Sequence, residues 1–153
     1  MRSENIVSII SKAIKSYQII AEQKHVEISF SASNPKIPVY CNDDQVEMLF
    51  SIFLENALNY SHNNSKIDIE AKKENSSFKI SIKDYGIGIS EKSISKIFNE
   101  YFRSNEAVSH HENGSGLGLA IAQEIANVHD FKIEVQSKLG EGATFSFGGR
   151  IAE

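Results

Sequence analysis

The sequence is poor in the features that commit a chain to several common protein classes. Its single cysteine, Cys41, has no partner for an internal disulfide and cannot build a cysteine metal cluster. It reads as a small hydrophobe near a strand end. There is no excess of basic residues either: 16 Lys and Arg stand against 20 Asp and Glu, a net charge of −4. That balance offers a nucleic-acid backbone no electrostatic footprint, and it suits an anionic membrane surface poorly. Apolar runs stop after a handful of residues, well short of the roughly 20 that a membrane-spanning helix needs. No charged-then-apolar leader opens the chain. The domain is therefore expected in the cytoplasm without inserting into a membrane itself; an inner-membrane anchor, where there is one, belongs to the parent protein. Internal repeats and linker-like stretches are also missing. What remains is an ordinary globular composition, 41% hydrophobic and 24% charged over 153 residues, which predicts one domain burying roughly 70% of its unfolded surface.

Helical and strand periodicities follow one another along the chain. Ile6, Ile10, Ala13, Tyr17 and Ile20 recur at steps of four and three, predicting an amphipathic helix from about Glu4 to Lys24. From His25 to Ser31, Val26, Ile28 and Phe30 alternate with polar residues as in a half-buried strand. Pro35 and Pro38 bracket a loop before a short strand, Val39 to Cys41. Asn42 and Asp43 suit the N-cap of a second helix, which carries Val46, Leu49, Phe50, Phe53, Ala57 and Tyr60 at helical spacing. Two alternating strands, Lys66 to Lys72 and Phe78 to Asp84, form a hairpin by pattern and loop length. Ser90 is expected to cap a short helix through Phe98, and the polar, aperiodic stretch from Asn99 to Asn113 is a long loop of the kind that serves as a lid. A third helix, Ser115 to His129, is expected to present Leu117, Ile121, Ile125 and Val128 on one side, with His129 as an end cap favoured by the helix dipole. Phe131 to Gln136 and Ala143 to Phe147 close the chain as a hairpin. The predicted fold class is an α+β two-layer sandwich, with a mixed, mostly antiparallel sheet of about five strands and three main helices on one face.

Two glycine clusters stand where regular elements meet loops. The first is Asp84-Tyr85-Gly86-Ile87-Gly88-Ile89 and the second Gly114-Ser115-Gly116-Leu117-Gly118-Leu119. Asp84 at a strand end can accept a hydrogen bond from an exocyclic amine such as adenine carries, and the glycines after it are expected to leave the approach open. The second box opens a helix, whose first N–H groups and positive dipole end suit phosphates. Neither box has the Walker or the dinucleotide-fingerprint spacing, and either one alone is more often a tight turn plus a helix cap. The second helix supplies a further wall: Ile52, Glu55, Asn56 and Asn59 share a face by the three-and-four rule. Solvation accounts for most such polar faces, but an amide oxygen at Asn56 suits a hard Mg²⁺ ion that in turn holds phosphates.

These segments carry a resemblance. Glu55-Asn56-Ala57-x-x-Tyr60, Asp84-x-Gly86-x-Gly88-Ile89, Ile97-Phe98-x-x-Tyr101-Phe102-Arg103, Gly114-Ser115-Gly116-Leu117-Gly118-Leu119-Ala120-Ile121 and Ser137-x-x-Gly140-x-Gly142-Ala143-Thr144-Phe145 occur in this order. Together they resemble the catalytic and ATP-binding domain of bacterial sensor histidine kinases, in the superfamily that also holds DNA gyrase, the heat-shock proteins of the ninety-kilodalton class and the MutL repair proteins. The resemblance covers essentially the whole chain, and it implies ATP and Mg²⁺ as cofactors. By it, Asn56 is the metal ligand, Tyr60 packs near the adenine or ribose, and Asp84 takes the adenine amine, with Gly86, Gly88 and Ile89 shaping the base pocket. Phe98, Tyr101 and Phe102 anchor a lid over residues 104–113. Arg103 reaches the terminal phosphate and, with Asn56, carries catalysis. Gly114, Gly116, Leu117 and Gly118 hold the phosphates through backbone amides. Thr144 is counted with the site, although relatives often have the hydroxyl one residue earlier, at Ala143, and neighbouring strand residues face opposite ways.

The chain also departs from the pattern. Ile52 stands where such kinases usually carry another asparagine, Asn59 where a basic residue often contacts phosphate, and His129-Asp130-Phe131 where the helix often ends in His-Gly-Gly. None of the five histidines lies in a phosphoacceptor setting. His110-His111 lacks a third ligand and reads as polar lid residues. The resemblance thus implies a single catalytic domain, residues 1–153, excised from a longer protein. Its expected partners are the histidine-bearing dimerisation domain of the parent kinase and the receiver domain of a response regulator. The other readings are a degenerate regulatory module that holds nucleotide without phosphotransfer, and a serine kinase of the anti-sigma-factor type.

Overall fold

The computed structural model describes residues 1–99, 102–103 and 117–153. A short strand β1 (Arg2–Asn5) leads into helix α1 (Ile6–Gln23), followed by β2 (Glu27–Ala32), β3 (Pro38–Cys41) and helix α2 (Asp43–Tyr60). The hairpin β4 (Lys66–Glu74) and β5 (Ser77–Asp84) comes next, then a single helical turn α3 (Glu91–Ile94), helix α4 (Gly118–His129) and the closing hairpin β6 (Lys132–Ser137) and β7 (Ala143–Arg150). Five strands form one sheet in the order β2-β4-β5-β7-β6, parallel only between β2 and β4. The expected two-layer sandwich, with a mixed and mostly antiparallel sheet, is what the chain forms.

Alternation along the central strand decides which face is covered. Phe78, Ile80, Ile82 and Asp84 of β5 are buried, whereas Lys79 and Lys83 between them are exposed. Period-two geometry therefore puts Asp84 on the same face as the core side chains. Phe50, Phe53 and Leu54 of α2 bury themselves against that face together with Phe145 and Phe147 of β7. The Phe53 ring meets Phe145 with 5.2 Å between centroids, in the tilted geometry that aromatic pairs prefer.

Three features differ from the sequence expectations. The chain forms an additional two-stranded antiparallel sheet, β1 with β3; β1 is only four residues long and carries no alternating apolar pattern to announce it. In α1, Ile6, Ile10 and Ala13 are buried but Ile20 is 45% exposed, so the stripe runs past the surface that α2 offers. In α4 the expected large apolar face is largely turned outward: Ile121 is 42% and Val128 64% exposed, while Ala122, Ile125 and Ala126 are buried. Small residues one turn apart let two helices approach closely, and here they select the buried face over bulkier side chains. Among the described residues α4 starts at Gly118, and Leu117 precedes it in αR geometry without a side-chain cap; Ser115, where the helix was expected to begin, lies outside the described residues.

Candidate functional site

Helix α2 spans the site. Asn42 caps it, its Oδ1 accepting from Gln45 N at 3.0 Å, and Asp43 and Asp44 add negative charge at the positive end of the dipole. Ile52, Asn56 and Tyr60 form one row at i, i+4 and i+8. At one end of this row, a Cβ on Gly118 would lie 3.4 Å from Ile52 Cγ2, so the first residue of α4 packs on Ile52. At the other end, Tyr60 O accepts from Ile87 N at 3.2 Å. The two glycine boxes are thereby joined by two turns of α2, about 12 Å at 1.5 Å per residue. Asn56, half-buried, lies midway between them. Among the described residues its side chain makes no hydrogen bond, which fits an amide left open to a ligand. Glu55 accepts from the Tyr17 hydroxyl at 3.2 Å and lines, with Ile52 of the row and with Asp44, Glu47 and Met48, a groove of about 360 Å³ between α1 and α2.

Asp84 closes β5 with only 5% of its surface exposed. Its Oδ1 accepts from Gly86 N at 2.9 Å and from Ala143 N at 3.3 Å. Among the described residues Oδ2 accepts no hydrogen bond, so a buried carboxylate presents one committed and one available oxygen. Burial pushes the Asp84 carboxyl above its ordinary value, and the two backbone donors and the charge of His62 act in the opposite direction. The next residue, Tyr85, belongs to the other face, where its hydroxyl donates to Asp68 Oδ2 at 2.7 Å.

The glycines of this box do something other than leave an opening. A Cβ on Gly86 would sit 2.0 Å from Tyr60 O, and one on Gly88, at φ +71°, would sit 2.2 Å from Lys138 O. The site thus stitches three segments together by backbone contact: the end of α2, the β5 loop and the β6–β7 turn. Gly142 completes the stitching, since at φ +84° its Cβ would meet Asp84 O at 2.2 Å. Ser137, which sequence reading placed in a motif without giving it work, ties the same segments; its Oγ accepts from Ile89 N at 2.8 Å and donates to Gly142 O at 2.7 Å.

The other expected residues divide three ways. Phe98 is half-buried with its ring edge-on to Phe145 at 6.5 Å. Arg103 Nη2 donates to the Tyr60 hydroxyl at 3.5 Å, the outer limit of a hydrogen bond. Leu117 and Gly118 stand at the start of α4. Tyr101, Gly114, Gly116 and the expected lid, 104–113, lie outside the described residues. Thr144 is not brought to the site: it pairs with Lys83 and Gln136, which puts it on the sheet face opposite Asp84. Its neighbour Ala143 is on the Asp84 side, and contributes a backbone N–H where a hydroxyl was sought.

His129 also departs from expectation. Its ring is buried against Phe131, with 5.1 Å between centroids. Nδ1 lies 2.8 Å from Ile125 O and Nε2 accepts from Asn42 N at 3.1 Å. His129 is thus a buried link from α4 to α2 as well as a residue bonded to a carbonyl at the end of its own helix.

The chain matches the family of histidine kinase-, DNA gyrase B-, and HSP90-like ATPases over residues 41–150, and it belongs to that family. It is 33% identical over 138 residues to the signal transduction histidine-protein kinase ArlS of Staphylococcus aureus (strain USA300), the match covering 89% of this chain and 31% of that protein. The chain therefore spans about a third of the length of the curated relatives it matches. Among solved structures, the nucleotide-free catalytic domain of histidine kinase ThkA superposes with a TM-score of 0.85 at 21% identity, covering 97% of this chain and 93% of that one. Full-length ShkA in complex with AMPPNP gives 0.83 at 21% identity over 98% of this chain and 31% of that one. At such identities the likeness establishes the fold. Among the described residues no helix is long and apolar enough to cross a membrane.

Proposed function

We propose that this chain is the catalytic domain of a sensor histidine kinase, which binds ATP with Mg²⁺ and donates the γ-phosphoryl group to a histidine on a separate dimerisation domain, from which the receiver domain of a response regulator draws it. The observation that carries this reading is the buried Asp84 carboxylate, with Oδ1 held by two backbone N–H groups and Oδ2 available. A carboxylate in that state is an acceptor aimed at a single amine donor, and an adenine presents one. When bound, ATP supplies the phosphoryl group and Mg²⁺ offsets its charge. Asp84 accepts from the exocyclic amine, with Gly86, Gly88 and Ile89 shaping the wall beside the base. Tyr60 packs near the adenine or ribose, and Phe98 anchors the segment that follows it. The amide oxygen of Asn56 holds the metal, the guanidinium of Arg103 serves the terminal phosphate, and the backbone amides of Leu117 and Gly118, with those of Gly114 and Gly116, serve the phosphate chain. The domain acts in the cytoplasm, and its partners are the dimerisation domain of the parent and the receiver domain of a response regulator. The relatives' names and the AMPPNP complex of a structural neighbour support the same reading.

A second reading, a nucleotide-holding module without phosphotransfer, draws on Ile52. Packed against Gly118, its apolar side chain can neither ligate metal nor orient water at the point where α2 meets the start of α4. Incubation of the chain with γ-labelled ATP, Mg²⁺ and a separately supplied dimerisation domain separates the two. Labelled histidine establishes the kinase; tight nucleotide binding with no label establishes the module.

A further inference from the structure

The peptide group joining Gly142 and Ala143 is held at both ends. Its carbonyl, Gly142 O, accepts from Ser137 Oγ at 2.7 Å, and its N–H, on Ala143, donates to Asp84 Oδ1 at 3.3 Å. Upstream, the Ser137 hydroxyl accepts from Ile89 N at 2.8 Å. The result is one directional chain, Ile89 N–H to Ser137 O–H to the 142–143 peptide to Asp84, in which each donor is polarised by the bond it accepts. Ser137 also pairs with Ala143 across the β6–β7 ladder, so the hydroxyl sits beside the peptide it orients. The peptide cannot easily reorient the other way, because Gly142 sits at φ +84° and the space a Cβ would fill is taken by Asp84 O, which would lie 2.2 Å from it. We infer that Ser137 is a positioning residue for base recognition: its hydroxyl turns the 142–143 peptide so that Ala143 N–H holds Asp84 Oδ1, leaving Oδ2 aimed at the exocyclic amine of adenine.

The inference rests on the reading of Asp84 as the base-binding group. It assigns to Ser137 a contribution to the choice of base that is separable from phosphate binding. Purine riboside triphosphate, which is ATP without the amine, serves as the probe beside ATP itself. The pair Ser137→Val and Ser137→Thr isolates the hydroxyl, because both side chains are β-branched and nearly equal in shape but only threonine can donate and accept.

Calorimetric titration of the chain is expected to show wild type preferring ATP over purine riboside triphosphate. Ser137→Val should weaken ATP binding about five-fold, the worth of one ordinary hydrogen bond, with purine riboside triphosphate bound as before. Ser137→Thr should restore the preference. Equal losses for both nucleotides in Ser137→Val, or equal behaviour of the valine and threonine variants, overturn the inference while leaving the Asp84 reading intact. A wild type that does not distinguish the two nucleotides overturns the Asp84 reading and takes this inference with it.

Discussion

The two ends of α2 are fastened by similar means to opposite effect. At its start, Asn42 N donates to His129 Nε2, His129 Nδ1 is bonded to Ile125 O, and the Asn42 side chain caps Gln45 N. Each of these groups has a partner within the chain. At its end, Tyr60 O takes Ile87 N, and Gly86 brings the β5 loop within a hydrogen atom's reach of the helix backbone. Yet the carboxylate beside that junction is buried with one oxygen lacking a partner among the described residues. An acceptor left open at the edge of an otherwise buried carboxylate is one that a second molecule can complete. The first junction has the closed bonding of architecture, and the second has the open acceptor that the proposed site requires. The difference is visible in the hydrogen bonds of the two junctions.

Gly86→Ala is the most drastic way to break the second junction. Its Cβ would stand 2.0 Å from Tyr60 O, a backbone atom with no rotamer to escape through. A loss of about 3 kcal/mol or more is expected, measured by denaturant unfolding; a fall within 1 kcal/mol would mean that the α2–β5 contact is looser than the geometry implies.

Asp84→Asn sharpens the contrast without breaking the fold. Asparagine keeps an oxygen for Gly86 N and Ala143 N, but replaces the open oxygen with an NH₂ that meets the adenine amine donor to donor. Affinity for ATP should fall about 30- to 100-fold, as for loss of a hydrogen bond to a charged acceptor. Stability should not fall with it. Burial raises the Asp84 carboxyl above its ordinary 3.8, so the folded state holds this proton more tightly than the unfolded one. Wild type therefore loses stability as pH rises from that ordinary value through the raised one, and the asparagine variant, having no such proton, does not. At neutral pH the variant should melt at or above the wild-type temperature, with the gap closing as pH falls through that window. ATP affinity of wild type should decline over the same window as Oδ2 is protonated. A variant that melts well below wild type at pH 7 while retaining affinity would reverse the assignment of this end of the helix.

His129→Leu tests the architectural end. The substitution removes the acceptor of Asn42 N in a part-buried setting and the ring's contact with Ile125 O, an expected cost of about 2 kcal/mol. Because the junction lies at the far end of α2 from Asp84, nucleotide affinity of the folded variant should remain within two-fold of wild type, about 0.4 kcal/mol. A large loss of affinity at unchanged stability would show that the two ends are coupled, and the distinction between them would fail.

Much of this was legible in the sequence wherever a pattern is local. The strand alternation through Phe78, Ile80, Ile82 and Asp84, the cap at Asn42 and the hairpins depend on neighbours within a few residues. The burial of Asp84 follows from that same alternation. Illegible were the features that depend on which segment arrives opposite. Nothing in Gly86-Ile87-Gly88 says that the space is filled by Tyr60 and Lys138 backbone instead of a ligand. The outward turn of Ile121 and Val128 arose because Ala122 and Ala126 pack closely where bulk would not. The Thr144 assignment weighted side-chain chemistry over register, and the strand period settles that conflict in favour of the Ala143 backbone. His129 was read only as an end cap because its acceptor role depends on Asn42, 87 residues away in sequence.

The finest test separates the two bonds that Asn42 makes. Its side chain caps Gln45 N, while its main-chain N–H, which no substitution other than proline removes, serves His129. Asn42→Ala should therefore cost about 1 kcal/mol, the ordinary worth of an N-cap, and leave the His129 link in place. In the double variant with His129→Leu, the two losses should nearly add, because each substitution removes a hydrogen bond the other does not touch. A double variant no less stable than His129→Leu alone would mean that the cap depends on the histidine. The start of α2 would then be one cooperative unit, like the chain of bonds from Ile89 to Asp84 at the other end, and closed bookkeeping could no longer be equated with independent parts.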